Sequence, residues 1–162
     1  MKSVPVEALL GPHVLDAVDY MRPSELDGYV ELMEVQRAAA EARGEYVSYN
    51  ASDLDNAQHI LFRLDGVVYM AVEDPQDGYR SSMKDLFVTD GGMTNVFPPC
   101  SVIGRMMENS DSYGGQNEIV QFLDCTTGAV VLEVGTASTD DYYPSFVANF
   151  QPGNMAGNKE KK

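Results

Sequence analysis

Residues 60–72, Ile60-Leu61-Phe62-Arg63-Leu64-Asp65-Gly66-Val67-Val68-Tyr69-Met70-Ala71-Val72, decide the fold of this chain. Two apolar, strand-forming runs flank Asp65-Gly66, the residue pair that favours a type I′ turn. A two-residue loop fixes the register, so Leu64 faces Val67, Phe62 faces Tyr69 and Ile60 faces Ala71. One face of the hairpin is then apolar throughout. The other is mixed and carries Leu61, Arg63, Val68 and Met70.

A second hairpin is expected at residues 119–134, with Ile119 to Leu123 and Ala129 to Val134 as strands around Thr127-Gly128. Its loop holds three or four residues, and that choice sets the register. Leu86-Phe87-Val88 and Ser101-Val102-Ile103 read as shorter strands, with Gly91-Gly92 and Pro98-Pro99 as punctuation between them. Residues 13–20 lean to a strand behind a Gly11-Pro12 turn, and Glu108 to Gln116 read as an exposed loop.

One helix is expected at residues 24–43. Pro23 suits the first turn, and Glu25 and Asp27 complement the positive end of the helix dipole. Leu26, Tyr29, Val30, Met33 and Ala40 recur at helical spacing as an apolar stripe. Arg37 and Arg43 stand near the C-terminal end, and Gly44 is the stop. The fold class is therefore α+β, a mainly antiparallel sheet built from hairpins with one long helix packed on it. About five or six strands are expected. Residues 1–150 read as a single domain and 151–162 as a disordered tail.

Charge is the most unusual feature, −14 from 25 acidic and 11 basic residues in a chain of 162. The last dozen residues carry three lysines and one glutamate, so removing their +2 from −14 leaves −16 on the body. Such a body repels nucleic acid and anionic membranes, so direct nucleic-acid binding is disfavoured. The plain alternative is that the acidity only keeps a cytoplasmic protein soluble. The N-terminus lacks a signal-peptide run, being interrupted by Pro5, Glu7 and Pro12, and no apolar stretch reaches the ~20 residues of a spanning helix. The chain reads as cytoplasmic. Cys100 and Cys125 lack CxxC spacing; a disulfide is compatible with them, but they read more simply as buried or idle thiols.

Both hairpins run into an acidic, tyrosine-containing segment. Glu73, Asp74, Asp77, Tyr79 and Arg80 follow the first, and Asp140, Asp141, Tyr142 and Tyr143 follow the second. If the hairpins lie side by side with their open ends together, these residues meet at one sheet edge as a binding site. Arg80 would then grip a carboxylate or phosphate, and the tyrosines would offer stacking faces. A plainer reading stands beside it: turns at Asp74-Pro75 and Asp77-Gly78, Arg80 paired with its acidic neighbours, packed tyrosines. No EF-hand spacing is present, and His13 and His59 stand apart from each other and from both cysteines. No GxSxG, GxxxxGK[ST] or strand-linked GxGxxG occurs, and no cofactor is implied.

Residues 62–82 (FRLDGVVYMAVEDPQDGYRSS) and 131–147 (VLEVGTASTDDYYPSFV), and more loosely 11–20 (GPHVLDAVDY), resemble a group of small acidic proteins encoded by bacteriophages and prophages. The match covers under a third of the chain. No activity is attached to that group, so the resemblance implies a phage accessory protein without a mechanism. The helix at 24–43 reads as an elaboration upon it. Three functions are weighed. The first is a non-enzymatic interaction protein that binds a basic surface on a host protein, in its sharper form by imitating nucleic acid. The second is a small-ligand or nucleotide-sequestering module built on the two Tyr/Asp segments, with Arg80 and Arg105 as the anion donors. The third is a metal-dependent hydrolase using Asp74, Asp77, Asp140 and Asp141. Oligomeric state is left open.

Overall fold

The computed structural model describes residues 2–20, 28–46, 59–72, 85–107, 118–137 and 145–155. In chain order its elements are β1 (Lys2–Ser3), a 3-10 turn (Val6–Leu9), β2 (Gly11–Asp19), α1 (Tyr29–Ala42), β3 (His59–Leu64), β4 (Val67–Val72), β5 (Asp85–Thr89), β6 (Val96–Met107), β7 (Glu118–Asp124), β8 (Val130–Ala137), β9 (Ser145–Phe150) and a second 3-10 turn (Pro152–Asn154). The fold is α+β, as expected. Its sheet is larger than expected: the described residues form nine antiparallel strands in the order β1-β5-β4-β3-β2-β6-β7-β8-β9.

The deciding hairpin forms as read. Asp65 (φ 54) and Gly66 (φ 80) both adopt the left-handed conformation a type I′ turn requires. Leu64 pairs with Val67, Phe62 with Tyr69 and Ile60 with Ala71. In the second hairpin Asp124 N–H donates to the Ala129 carbonyl, which closes a four-residue loop at 125–128. A bulge at Val131 then shifts the register. The Gly11-Pro12 pair lies inside β2, where a turn was expected.

Pro98-Pro99 also lies inside a strand, contrary to its reading as a break. Position explains the tolerance. β7 pairs with β6 only from Val102 onward, and the β2 side carries a bulge between Leu15 and Ala17. The missing N–H groups fall where few ladder bonds exist to lose.

One face of the sheet folds over on itself. Phe62 of β3 and Phe122 of β7 are separated by two strands, about 14 Å on a flat sheet, yet their ring centroids are 5.9 Å apart. Phe97 of β6 and Phe150 of β9 are equally far apart in strand order and stack at 5.5 Å. The enclosed core holds Leu15, Ile60, Phe62, Leu64, Val120, Phe122 and Leu132, all fully buried. Each end is plugged by a 3-10 turn. Leu9 enters beside Gly104, where any β-carbon would meet the Leu9 carbonyl. Met155 enters from the other end, held by Gln151 N–H on the Val131 carbonyl (2.7 Å) and Asn154 Nδ2 on the Val130 carbonyl (2.8 Å). The described structure continues past residue 150 to Met155, whose side chain is buried in the core.

Among the described residues the helix packs on the opposite, outer face, over β3, β4 and β5. Met33, with half-buried Val30 and Leu32, packs on Leu61, Val68, Met70, Val72 and Phe87. Gly44 N–H bonds the Glu41 carbonyl and Glu45 N–H the Ala40 carbonyl, the paired closure that stops a helix at a glycine. Pro23, Glu25, Leu26 and Asp27 lie outside the described residues. No helix among the described residues is long and apolar enough to cross a membrane.

Candidate functional site

Glu73, Asp74, Asp77, Tyr79, Arg80, Asp140, Asp141, Tyr142 and Tyr143 all lie outside the described residues, as does the Glu108–Gln116 stretch. The strands that flank the two segments are described. Val72 and Asp85 pair at one end of the sheet, level with His59. Ala137 and Ser145 pair at the opposite end, beside Glu118 and Thr136. The shared open end supposed for the two hairpins does not exist. β4 and β8 stand five places apart in an antiparallel order, so they run in opposite directions.

The described structure brings together another set of side chains, on the outer face of β2, β6, β7, β8 and β9. Three cross-strand rows lie there. Pro12, Ile103, Leu123 and Val130 stand opposite one another in the first. Ile103 is 46% exposed, and neighbouring Val14 39%. Arg105, Gln121, Glu133 and Asn149 form the second. Arg105 donates to Gln121 Oε1 at 3.2–3.3 Å, and Gln121 Nε2 to Glu133 Oε2 at 2.7 Å. The third row is Met107, Ile119, Gly135 and Val147, more closed than the first because Ile119 is buried. Arg105, read from sequence as an anion donor, spends its guanidinium on this polar ladder.

Between this face and the helix, Arg63 Nε bonds Asp16 Oδ1 at 2.7 Å. At the β3–β4 turn, His13 Nδ1 lies 2.6 Å from Asp65 Oδ2, and its Nε2 3.2 Å from the Leu10 carbonyl. Each ring nitrogen thus faces an acceptor, and a neutral imidazole can donate to only one at a time. The His13 hydrogen bond holds the Asp65 carboxyl below its ordinary value; burial opposes this, and the Val14 N–H reinforces it. A lowered carboxyl pKa stabilises the fold above the ordinary value, and that contribution disappears as pH falls through the lowered one. Asp65→Asn keeps a residue suited to the I′ turn while removing the charge. From neutral pH down to about pH 3 its urea midpoint should therefore fall less than the wild type's. The difference is small, because Asp65 is half exposed. An equal fall in both proteins would show that the pair does not couple to folding.

Two buried carboxylates are structural. Asp19 accepts from Thr94 and Asn95, and Asp124 from the Thr126 and Thr127 backbone and the Cys100 thiol. Cys100 is buried and Cys125 exposed, and no disulfide joins them. Among the described residues no three His, Cys, Asp or Glu side chains are grouped to hold a metal ion. No family model, curated protein or solved structure matches this chain.

Proposed function

We propose that the chain is a non-enzymatic acidic interaction protein, phage-encoded and acting in the host cytoplasm, that binds and modulates a host protein with a basic surface. The observation that carries this reading is the open outer row of Pro12, Ile103, Leu123 and Val130, with Val14 beside it, on a chain of net charge −14. Apolar side chains supply contact energy, and negative charge selects a basic partner and speeds the encounter. Imitation of nucleic acid is the sharper form, in which acidic groups occupy a basic cleft that would otherwise hold phosphates. The phage origin rests on the resemblance of residues 62–82 and 131–147.

The test is a pull-down from bacterial lysate at low and high salt, with wild type and Ile103→Lys side by side. Ile103 faces outward, so the substitution leaves the core alone and changes the contact row. One host protein should be retained at low salt, lost at high salt, and reduced at least about tenfold by Ile103→Lys. A partner indifferent to both salt and Ile103 would overturn the reading.

A further inference from the structure

The N-terminal strap, residues 2–10, runs from the β5 edge to the start of β2 and closes one end of the core. β1 pairs with Phe87 and Val88, Val4 N–H bonds the Leu86 carbonyl at 2.9 Å, and Leu9 is fully buried beside Gly104. The 3-10 bonds between these points are long. Ala8 N–H reaches the Pro5 carbonyl at 3.1 Å, and Leu10 N–H the Glu7 carbonyl at 3.2 Å. A 3-10 turn of four residues has poor hydrogen-bond geometry and little hold of its own, so its stability depends on what ties its end.

That tie is His13. Its partner Asp65 is a fixed anchor, with its N–H on the Val14 carbonyl at 2.9 Å and its Oδ1 accepting the Val14 N–H at 2.8 Å. The other oxygen, Oδ2, lies 2.6 Å from His13 Nδ1, and His13 Nε2 lies 3.2 Å from the Leu10 carbonyl, one residue beyond the plug. Both partners are acceptors. A neutral imidazole carries one N–H and must turn a lone pair on one of them. The side chain is 12% exposed, so little water can intervene. An imidazolium donates to both, and its bond to the carboxylate is charge-assisted.

We infer that His13 is a protonation latch: with both ring nitrogens protonated it ties the N-terminal strap to the β3–β4 turn, and on giving up a proton it loosens the strap. The neighbouring ionisable groups are engaged elsewhere. Asp124 shares the cross-strand row of His13 through Val102, but accepts from Thr126, Thr127 and Cys100. On the outer face Arg63 is paired with Asp16, and Arg105 with Gln121. Tyr69 of β4 is kept a neutral phenol by burial and, secondarily, by Asp65. Glu7 rides on the strap itself. A hold that needs the charged ring is present at low pH and lost as pH rises through the range where imidazoles titrate. Asp65 stays ionised throughout that range, its carboxyl being held below the ordinary value by His13. Loosening the strap opens the β5 edge that β1 guards and the core end that Leu9 fills.

Amide hydrogen exchange at about pH 5.5 and about pH 8 tests this, with each rate divided into that of the unstructured chain so that the intrinsic effect of pH cancels. Protection of the Val4, Ala8 and Leu10 amides should fall at least about fivefold from the lower to the higher pH, while the Phe62 and Met70 amides of the hairpin change little. His13→Gln does not titrate, and its strap should be protected equally at both pH values. Asp65→Asn keeps the ring and the turn but withdraws the charged partner, so its response should shrink to less than about half. Equal protection of the wild-type strap at the two pH values overturns the inference. A response that survives His13→Gln also overturns it, because another group would then be titrating. So does a response shared equally by the hairpin, which would belong to the whole fold and not to the strap.

Discussion

Phe62→Ala is expected to destabilise the fold by about 4 kcal/mol, the middle of the range for emptying a buried aromatic site. Phe62 is fully buried, with its ring 5.8 Å from Tyr69 and 5.9 Å from Phe122. The Tyr69 contact lies within one hairpin, whereas the Phe122 contact crosses the fold of the sheet. Losing the side chain therefore opens a cavity and also loosens the β7 half from the β3 half. A domain of this size is stable by about 5–15 kcal/mol, so the variant would sit close to unfolding. Urea denaturation followed by circular dichroism gives the number, and Ile103→Ala on the open face should stay within about 0.5 kcal/mol as a control. The double variant with Phe122→Ala should fall short of additivity by about 1 kcal/mol, since the two rings share one contact. A loss below about 1 kcal/mol for Phe62→Ala would mean that the two halves do not share a core.

The hairpin at residues 60–72 was legible because its information is local. Asp65-Gly66 admits one turn type, and a two-residue loop leaves one register. The second hairpin was legible only in outline, since the bulge at Val131 answers to packing of the inner face, where Val131 and Leu132 are both buried. β9 is hard to see in the sequence because residues 145–150 come directly after an acidic, tyrosine-rich string. Its signal, an uncharged run with alternating bulky residues, is short and ambiguous by periodicity alone.

The outer face could not be read from sequence at all. Pro12, Ile103 and Leu123 come from three distant stretches, and only the pairing order lays them side by side. His13 and Asp65 stand 52 residues apart and meet for the same reason. The likeness between residues 73–80 and 140–143 suggested a common site. Strand parity puts the strand ends that flank the two segments at opposite ends of the sheet, and local resemblance carries no information about parity. What the sequence did convey is the charge, which composition alone determines.

Asp19→Ala is expected to cost about 3 kcal/mol, the second large effect. Asp19 closes β2 at the point where the chain leaves the sheet towards α1, and it is 6% exposed. Its Oδ2 accepts from Thr94 N–H at 2.6 Å, and its Oδ1 accepts from Asn95 N–H at 2.8 Å and Thr94 Oγ1 at 3.1 Å. Asn95 bonds back to Val18 in both directions, with Nδ2 on the Val18 carbonyl at 2.9 Å and its own carbonyl on Val18 N–H at 3.3 Å. Removing the carboxylate takes away three charge-assisted hydrogen bonds at once, each stronger than a neutral one; Thr94 and Asn95 are exposed, so water takes up part of the loss. Asp19→Asn keeps an acceptor but presents an NH2 group to donors, so it should lose about half as much. Asn95→Ala breaks only the side-chain return to Val18 and should cost about 1 kcal/mol. Hydrogen exchange separates this local clamp from a general loss of stability. In Asp19→Ala the Thr94 and Asn95 amides should exchange much faster, with the β3–β4 amides falling only by the global change. Uniform acceleration across the sheet would instead place Asp19 in the cooperative core, and the β2–β6 junction would then unfold together with the nine-stranded sheet.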